Sequence, residues 1–350
     1  MMSLQTIIPF NEELNKFYEE TFYFSYSSIN KLLFSPRAFY DHYILKQRED
    51  SIDAHLVTGR ALHCLLLEPD NFDKQFIVMP GKVPTDNNLI IVTNIFNKCY
   101  VPLNNNSLSL EDFSDDILIQ LLSLNLHQSL VDDKKDLTKT GDSKRLEKVL
   151  NEQNKEYFNF LKKKAGKTVI DQQTLDSCKV SIELLREHKS VRSLLQLDTV
   201  NNPNVKILNE VALKVEPGRY KFGFKGILDN VVIDYDQKIL FINDLKTTGK
   251  ALQDFPDAVG YYKYWIQAVM YQQLAWFNYL KEVPDIAEWQ IVITFIVIDK
   301  FNQIYPFQVS KETLSIWQED FLSMLEVLDY HYTDKDFTLP YDLAKGNVIL

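Results

Sequence analysis

Three consecutive stretches of alternating residues, each closed by turn-forming residues, constrain this chain more than any other feature. Val205 to Val215 reads as a strand and Glu216-Pro217-Gly218-Arg219 as its turn. Tyr220 to Asp234 reads as a second strand, Tyr235-Asp236-Gln237-Lys238 as the next turn, and Ile239 to Thr247 as a third strand. Short turns make such neighbours antiparallel. A fourth stretch, Glu288 to Ile298, is rich in β-branched residues and reads as a buried strand. Helical patterns surround these strands. Leu56 to Glu68 has Leu62, Leu65 and Leu66 on one face, a Gly59 that allows close approach, and Pro69 at its end. Residues 171–196, an aromatic stretch at 260–281 and a final stretch near 310–330 also read as helices. The fold class that follows is α/β.

Residues 1–50 read as helical. Ser25, Ser27, Ser28 and Asn30 are capping candidates, and Ser35-Pro36 opens a second short helix that carries Phe39, Tyr40 and Tyr43. The segment from about 80 to 150 is polar and charge-mixed, with Asn104 to Ser107 and Asp132 to Asp136 as its most polar runs. It reads as a variable insertion of loops and short elements. The organisation expected is a helical part over 1–80, an insertion over 81–168 and a core over 169–350. No apolar run approaches the roughly 18 residues of a membrane helix, and Met1 to Thr6 do not read as a secretory signal, so a cytoplasmic location is expected. Three cysteines, Cys64, Cys99 and Cys178, are too few for the four thiolates of an iron–sulfur cluster and do not suggest a disulfide framework. A net charge of −10 argues against nucleic-acid binding through the whole surface, though not through a local groove.

The chemistry concentrates on the second hairpin. A symmetric turn pairs Asp234 with Ile239 and, counting back, Asp229 with Asp244. Cross-strand neighbours on one face have Cβ atoms about 5 Å apart. Two carboxylates at that separation repel by roughly 3 kcal/mol at an effective dielectric of 20. Lys246 stands two residues from Asp244 and so projects from the same side. A divalent cation such as Mg²⁺ or Mn²⁺, which takes oxygen ligands, can bridge such acids. Read alone, the same residues also fit a solvent-exposed hairpin on which Lys246 pairs with an aspartate.

Gly226-Ile227-Leu228-Asp229 followed by Asn243-Asp244-Leu245-Lys246-Thr247-Thr248 resembles the GxxD…DxKTT signature of the PD-(D/E)xK nuclease superfamily. More narrowly it resembles the RecB-like and RecE-like (exonuclease VIII-like) branches, including phage exonucleases. Three further segments agree in order: Gly59 to Pro69 with the GxxxH helix, Gln267 to Tyr271 with the QxxxY helix, and Ser27 to Tyr43 with the amino-terminal helix pair. The resemblance implies a restriction-endonuclease-like core, a central mixed β-sheet flanked by helices, with a helical N-terminal part and a variable insertion. It implies Asp229 and Asp244 as metal-binding carboxylates, and His63 as a metal ligand or neighbour of the site. Lys246 would orient or deprotonate the attacking water and stabilise charge at the phosphate. Gln267 and Tyr271 would contact DNA or brace the site, and Glu210 would be a further metal carboxylate. A symmetric turn at 216–219 places Glu210 opposite Lys225, about 13 Å along the strand from Asp229, which leaves its reach open. Packing alone also accounts for His63 on a Leu-rich helix and for Gln267 and Tyr271 in an aromatic one.

The implied function is a Mg²⁺- or Mn²⁺-dependent DNA nuclease without an iron–sulfur cluster, an exonuclease acting on double-stranded ends in recombination or repair. An endonuclease of the same superfamily, or a non-catalytic module that holds DNA or protein, are the alternatives. Double-stranded DNA is the implied partner, with a single-strand annealing protein and a homo-oligomer as family-level expectations. Lys162, Lys163, Lys164, Lys167, Lys221, Lys225 and Lys250 are candidates for contacts to the DNA backbone.

Overall fold

A computed structural model describes residues 16–17, 19–20, 23–47, 54–103, 105–131, 140–197, 202–216 and 218–348. The helical reading of the residues before Lys16, the run from Asp132 to Asp136, and the positions of Asn104 and Pro217 lie outside them. The chain divides into two units, Met1–Pro69 with Val180–Leu350, and Asp70–Lys179.

The first unit begins with β1 (Tyr23–Phe24), α1 (Tyr26–Phe34) and α2 (Pro36–Phe39). Ser25 caps α1, Ser35 caps α2 through the Ala38 N–H, and Pro36 occupies the first turn, where its missing N–H goes unnoticed. After α3 (Ala54–Leu67) the chain leaves this unit; it returns to α4 (Lys189–Leu195). Then come β2 (Val205–Val215), β3 (Gly223–Asp234), β4 (Ile239–Thr248), α5 (Phe255–Tyr261), α6 (Tyr264–Ala275), β5 (Gln290–Asp299), β6 (Ile304–Gln308) and α7 (Lys311–Asp334). The sheet is mixed and six-stranded, in the order β1-β3-β4-β5-β6, with β2 paired to β3. The long helix expected at 260–281 is interrupted: Lys263 takes a left-handed backbone, φ 55°, between α5 and α6. The two short strands β1 and β6 carry too few residues to show a period.

Two registers fix the site. Between β3 and β4, Asp234 faces Ile239 and Asn230 faces Asn243, as the symmetric turn requires. Between β2 and β3, Val205 faces Asp234 and Val215 faces Phe224. The connection between these two strands is therefore longer than a tight turn at 216–219. Its aromatic residues explain why: Phe222 is fully buried, with its ring 5.1 Å from Tyr220, 5.2 Å from Phe24 and 5.5 Å from Tyr332. Burying those rings is worth more than an early return of the chain. The expectation that Glu210 faces Lys225 is corrected: Lys214 faces Lys225, and Glu210 lies across from Asp229.

A strand has two hydrogen-bonding edges. On β3, β2 fills one edge from Phe224 to Asp234. On the other edge β4 pairs only with Asn230 to Asp234, and β1 pairs in parallel with Gly223 and Phe224. β3 and β4 thus part at Asp229 and Asp244, while β4 continues alongside β5 to Thr248.

In the second unit the short elements are helices. Helices at Asp86–Ile95, Ser114–Ser123, Gly141–Val149 and Glu152–Lys164 enclose a core of their own, with Ile91, Val92, Ile95, Ile117, Leu121, Val149 and Phe158 fully buried. A parallel strand pair joins Phe76–Val78 to Thr168–Ile170. Lys162, Lys163 and Lys164 end a helix here. Lys162 is already engaged, donating to Asn106 O at 2.9 Å and Leu108 O at 2.7 Å. Among the described residues no helix is long and apolar enough to cross a membrane.

Gly226 explains itself by what lies against it. A Cβ there would come within 2.8 Å of Tyr271 Cε1 and 2.9 Å of Leu274 Cδ1. Gly226→Ala should lower stability by about 1–3 kcal/mol in urea unfolding, as overpacking does. Gly249→Ala, with nothing within 4 Å, should leave it unchanged or raised by at most about 0.5 kcal/mol. Equal effects of the two would mean that α6 does not press on β3 as described.

Candidate metal centre

The parting of β3 and β4 leaves backbone groups that need partners. Asp229 supplies one: its Oδ2 accepts from the Leu245 N–H at 2.7 Å, where a β3 carbonyl would otherwise stand. Its carboxylate is thereby fixed at the mouth of the split. Glu210, across from it on β2, has a left-handed backbone with φ 46°. For a residue other than glycine that conformation costs of order 1–3 kcal/mol and is found where surrounding structure enforces it.

α3 brings the histidine. Gly59 and His63 stand four residues apart and so share one face. A Cβ on Gly59 would lie 3.3 Å from Thr247 Oγ1, which shows how closely this face approaches β4. His63 Nδ1 is 3.5 Å from both Glu210 Oε1 and Asp229 Oδ2. One potential ligand atom from each of His63, Glu210 and Asp229 lies within 4.8 Å of the others. Cys64, beside His63, is buried, with Sγ 3.6 Å from Glu68 O.

The remaining residues form a second knot. Lys246 Nζ lies 2.6 Å from Asp244 Oδ2 and donates to Gln267 Oε1 at 3.0 Å. Gln267 Nε2 donates to Asp244 Oδ1 and to Tyr271 Oη, both at 2.9 Å. Gln267 and Tyr271 are 6% and 8% exposed, so they brace Asp244 and Lys246 rather than face solvent. Asp244 therefore turns toward Lys246 and Gln267, and the tightest grouping of potential ligands is His63, Glu210 and Asp229. The mutual repulsion of the two aspartates is answered within the protein by Lys246 and His63. Lys225, a candidate for DNA contact, is instead 3% exposed and donates to the carbonyls of Phe17 and Glu20. Lys163, Lys164, Lys221 and Lys250 are exposed.

The electrostatics follow from burial against charge. Burial alone would lower the His63 imidazolium pKa, but the Asp229 and Glu210 carboxylates outweigh it and raise it to about 10. Burial raises Glu210 to about 7 and Asp244 to about 6. Asp229 goes the other way: against its own burial, His63, Lys246 and the Leu245 N–H hold it below the usual carboxylate range. Burial would lower Lys246, but Asp244 and Asp229 raise it, so it keeps its proton at neutral pH.

The fit of this cluster to a cation rests on Glu210 Oε1, a buried oxygen whose neighbour, His63 Nδ1, stands 3.5 Å away without a well-aligned hydrogen bond. One imidazole nitrogen with carboxylate oxygens is a donor set for a divalent ion. Directly beside the acids runs an amide ladder that sequence reading missed. Asn243 Nδ2 donates to Asn230 Oδ1 and Asn230 Nδ2 to Asn209 Oδ1, both at 2.8 Å. Its ends reach the helices, with Asn209 bonding Leu67 O of α3 at 3.0 Å and Asn243 bonding Leu194 O of α4 at 2.9 Å.

No family model matches the chain, and no curated protein matches it in sequence. Among solved structures it is similar to the "Putative exonuclease" of Eubacterium rectale, at 13% identity over 100% of this chain and 95% of that one, with a TM-score of 0.46. It is also similar to SSO0001, at 14% identity over 43% of this chain and 67% of that one, with a TM-score of 0.20.

The sign of one pH effect is set by His63. Its pKa is raised on folding from 6.5 to about 10, so its stabilising contribution is full below pH 6.5 and is lost as the pH climbs through 10. Thermal melts in chelator between pH 6 and 10 should fall more steeply for the wild type than for His63→Gln. Parallel slopes would detach His63 from the two carboxylates.

Proposed function

We propose that the chain is a divalent-metal-dependent DNA nuclease that hydrolyses phosphodiester bonds, acting as an exonuclease from the ends of double-stranded DNA. The observation that carries this reading is the grouping of His63, Glu210 and Asp229 next to a half-buried ammonium, Lys246. His63, Glu210 and Asp229 would hold the ion, with Mg²⁺ and Mn²⁺ the ions that suit the carboxylates and Mn²⁺ the better match to the imidazole. When bound, such an ion activates water and neutralises charge developing on the phosphate.

The chain's own residues supply the rest. Lys246, held by Asp244 and Gln267, keeps its proton and so serves as a fixed donor to a phosphate oxygen rather than as a base. Tyr271 holds Gln267, Gln267 holds both Asp244 and Lys246, and the ammonium cannot swing away from the split in the sheet. Asp229, held below the usual carboxylate range by its neighbours, presents a charged carboxylate fixed in place before substrate arrives, with Glu210 across from it on β2. An acidic protein can act on a polyanion in this way because only the groove has to be favourable.

Mn²⁺ should raise the melting temperature, since it binds the native cluster and not the unfolded chain. Asp229→Asn keeps an oxygen for the Leu245 N–H but should abolish that rise. Lys246→Ala should keep the rise and lower DNA hydrolysis by about 10²–10³-fold. End-labelled linear duplex should be degraded with Mn²⁺ and not with chelator, while a closed circle is spared. Cutting of the circle would make the protein an endonuclease. An Asp229→Asn protein with full metal stabilisation would remove this cluster as the metal centre.

A further inference from the structure

Tyrosines form a row that starts at the proposed catalytic ammonium and ends in water. The Tyr264 ring lies 4.8 Å from Lys246 Nζ. Tyr262 stacks on Tyr264 with centroids 5.5 Å apart and 28° between the planes. Tyr261 then meets Tyr262 edge-on at 4.9 Å. Exposure rises along the row: Tyr264 is half-buried, Tyr262 is 43% exposed and Tyr261 is 76% exposed. Solitary exposed aromatics are ordinary, but two adjoining ones in line with a buried charged site are not what packing requires.

The row is also built to stay in place. The Tyr262 carbonyl accepts from both Tyr26 Oη and Asn30 Nδ2 of α1. Lys263 breaks the helix with its left-handed backbone, and this break sets Tyr262 against Tyr264. Strain of that kind persists where neighbouring contacts enforce it. The backbone that carries the exposed rings is thus anchored and Tyr262 is held further by its stack on Tyr264, so less freedom is lost when a base stacks there.

We propose that Tyr261 and Tyr262 are a stacking platform for the bases of a single-stranded DNA end whose backbone reaches Lys246. This rests on the nuclease reading above and specifies the form in which substrate enters the site. Aromatic rings hold single strands without regard to sequence, because every base has a π-face and only an unpaired base has it free, and Lys246 at the inner end of this row supplies a positive charge for the backbone. A duplex would have to give up its pairing at the end before its strand could follow this row.

The test uses the full chain with Ca²⁺ in place of Mn²⁺, a short single strand carrying 2-aminopurine near one end, and a blunt duplex carrying the same base. The wild type should quench the fluorescence of the single strand on binding. Tyr261→Ala and Tyr262→Ala should each lose the quench and bind about ten-fold more weakly, whereas Tyr261→Phe and Tyr262→Phe should restore both. Tyr235→Ala, at a tyrosine 45% exposed elsewhere in the unit, should change neither. The melting temperature of Tyr261→Ala should match the wild type, which excludes misfolding as the cause. Unchanged quenching and affinity in both alanine variants, no quenching by the wild type, or quenching of the blunt duplex alone would overturn the platform. If the wild type quenches the single strand but never cleaves DNA with Mn²⁺, the nuclease reading falls and the platform stands. If it cleaves and the alanine variants bind as the wild type does, the reverse holds.

Discussion

Carboxylates on three adjacent strands, Glu210, Asp229 and Asp244, meet where water hardly reaches. Each ion removed from water costs several kcal/mol unless charge and hydrogen bonds replace the lost hydration. Here the replacements come from every side. α3 contributes His63, β4 contributes Lys246 and the Leu245 N–H, and α6 contributes Gln267. Asp229 is tied most deeply into the fold, because its carboxylate completes the hydrogen bonding of a strand that has left its neighbour. Site and sheet therefore cannot be varied separately. A change that closes the split removes the need for Asp229, and truncating Asp229 to alanine leaves a buried N–H without its partner.

The amide ladder bears on the same point. Asn209, Asn230 and Asn243 sit one residue away from Glu210, Asp229 and Asp244 and are bonded to one another across the strands. A slip of one residue in either register would break that chain of amides and scatter the acids. Asn230 and Asn243 are fully buried, so an unmade bond here leaves a desolvated amide. The ladder also reaches α3 through Leu67 O, on the helix that carries His63. Alignment of the acids and placement of the histidine thus share one set of hydrogen bonds.

Much of this could be read from the residues. The turn at 235–238 is tight and polar, so counting back from it placed Asp229 opposite Asp244 without further information. Glu210 was misplaced because its strand was counted from a turn whose aromatic residues, Tyr220 and Phe222, belong to the core. A better signal lay in the order of neighbours: Asn-Glu at 209–210, Asp-Asn at 229–230 and Asn-Asp at 243–244. The order reverses in the middle strand, as an antiparallel register demands, and it aligns all three acids at once. The short elements of the second unit were legible but their common core was not, because polar runs dominate the composition there while the core residues are spread over several short helices. The aromatic residues at 261–264 suggested packing, and only the helix break at Lys263, which no residue preference announces, turns two of them outward.

The arrangement also imposes a timetable. Asp70–Lys179 is contiguous and carries its own buried core. The sheet is not: β1 near the start of the chain pairs with Gly223 and Phe224, and β4 pairs along its length with a strand that ends at Asp299. During synthesis the second unit is complete before β2 has been made, whereas β1, α1 and α3 must wait for distant partners. Long-range strand pairing is slow even in a finished chain. The aromatic residues of α1 and α2, and Tyr43 just beyond them with its ring 5.2 Å from Phe39, are made before the second unit but are covered only once the strands that follow it exist. A nascent chain of this design carries that surface uncovered through the synthesis of the whole second unit, which is where chaperone demand falls.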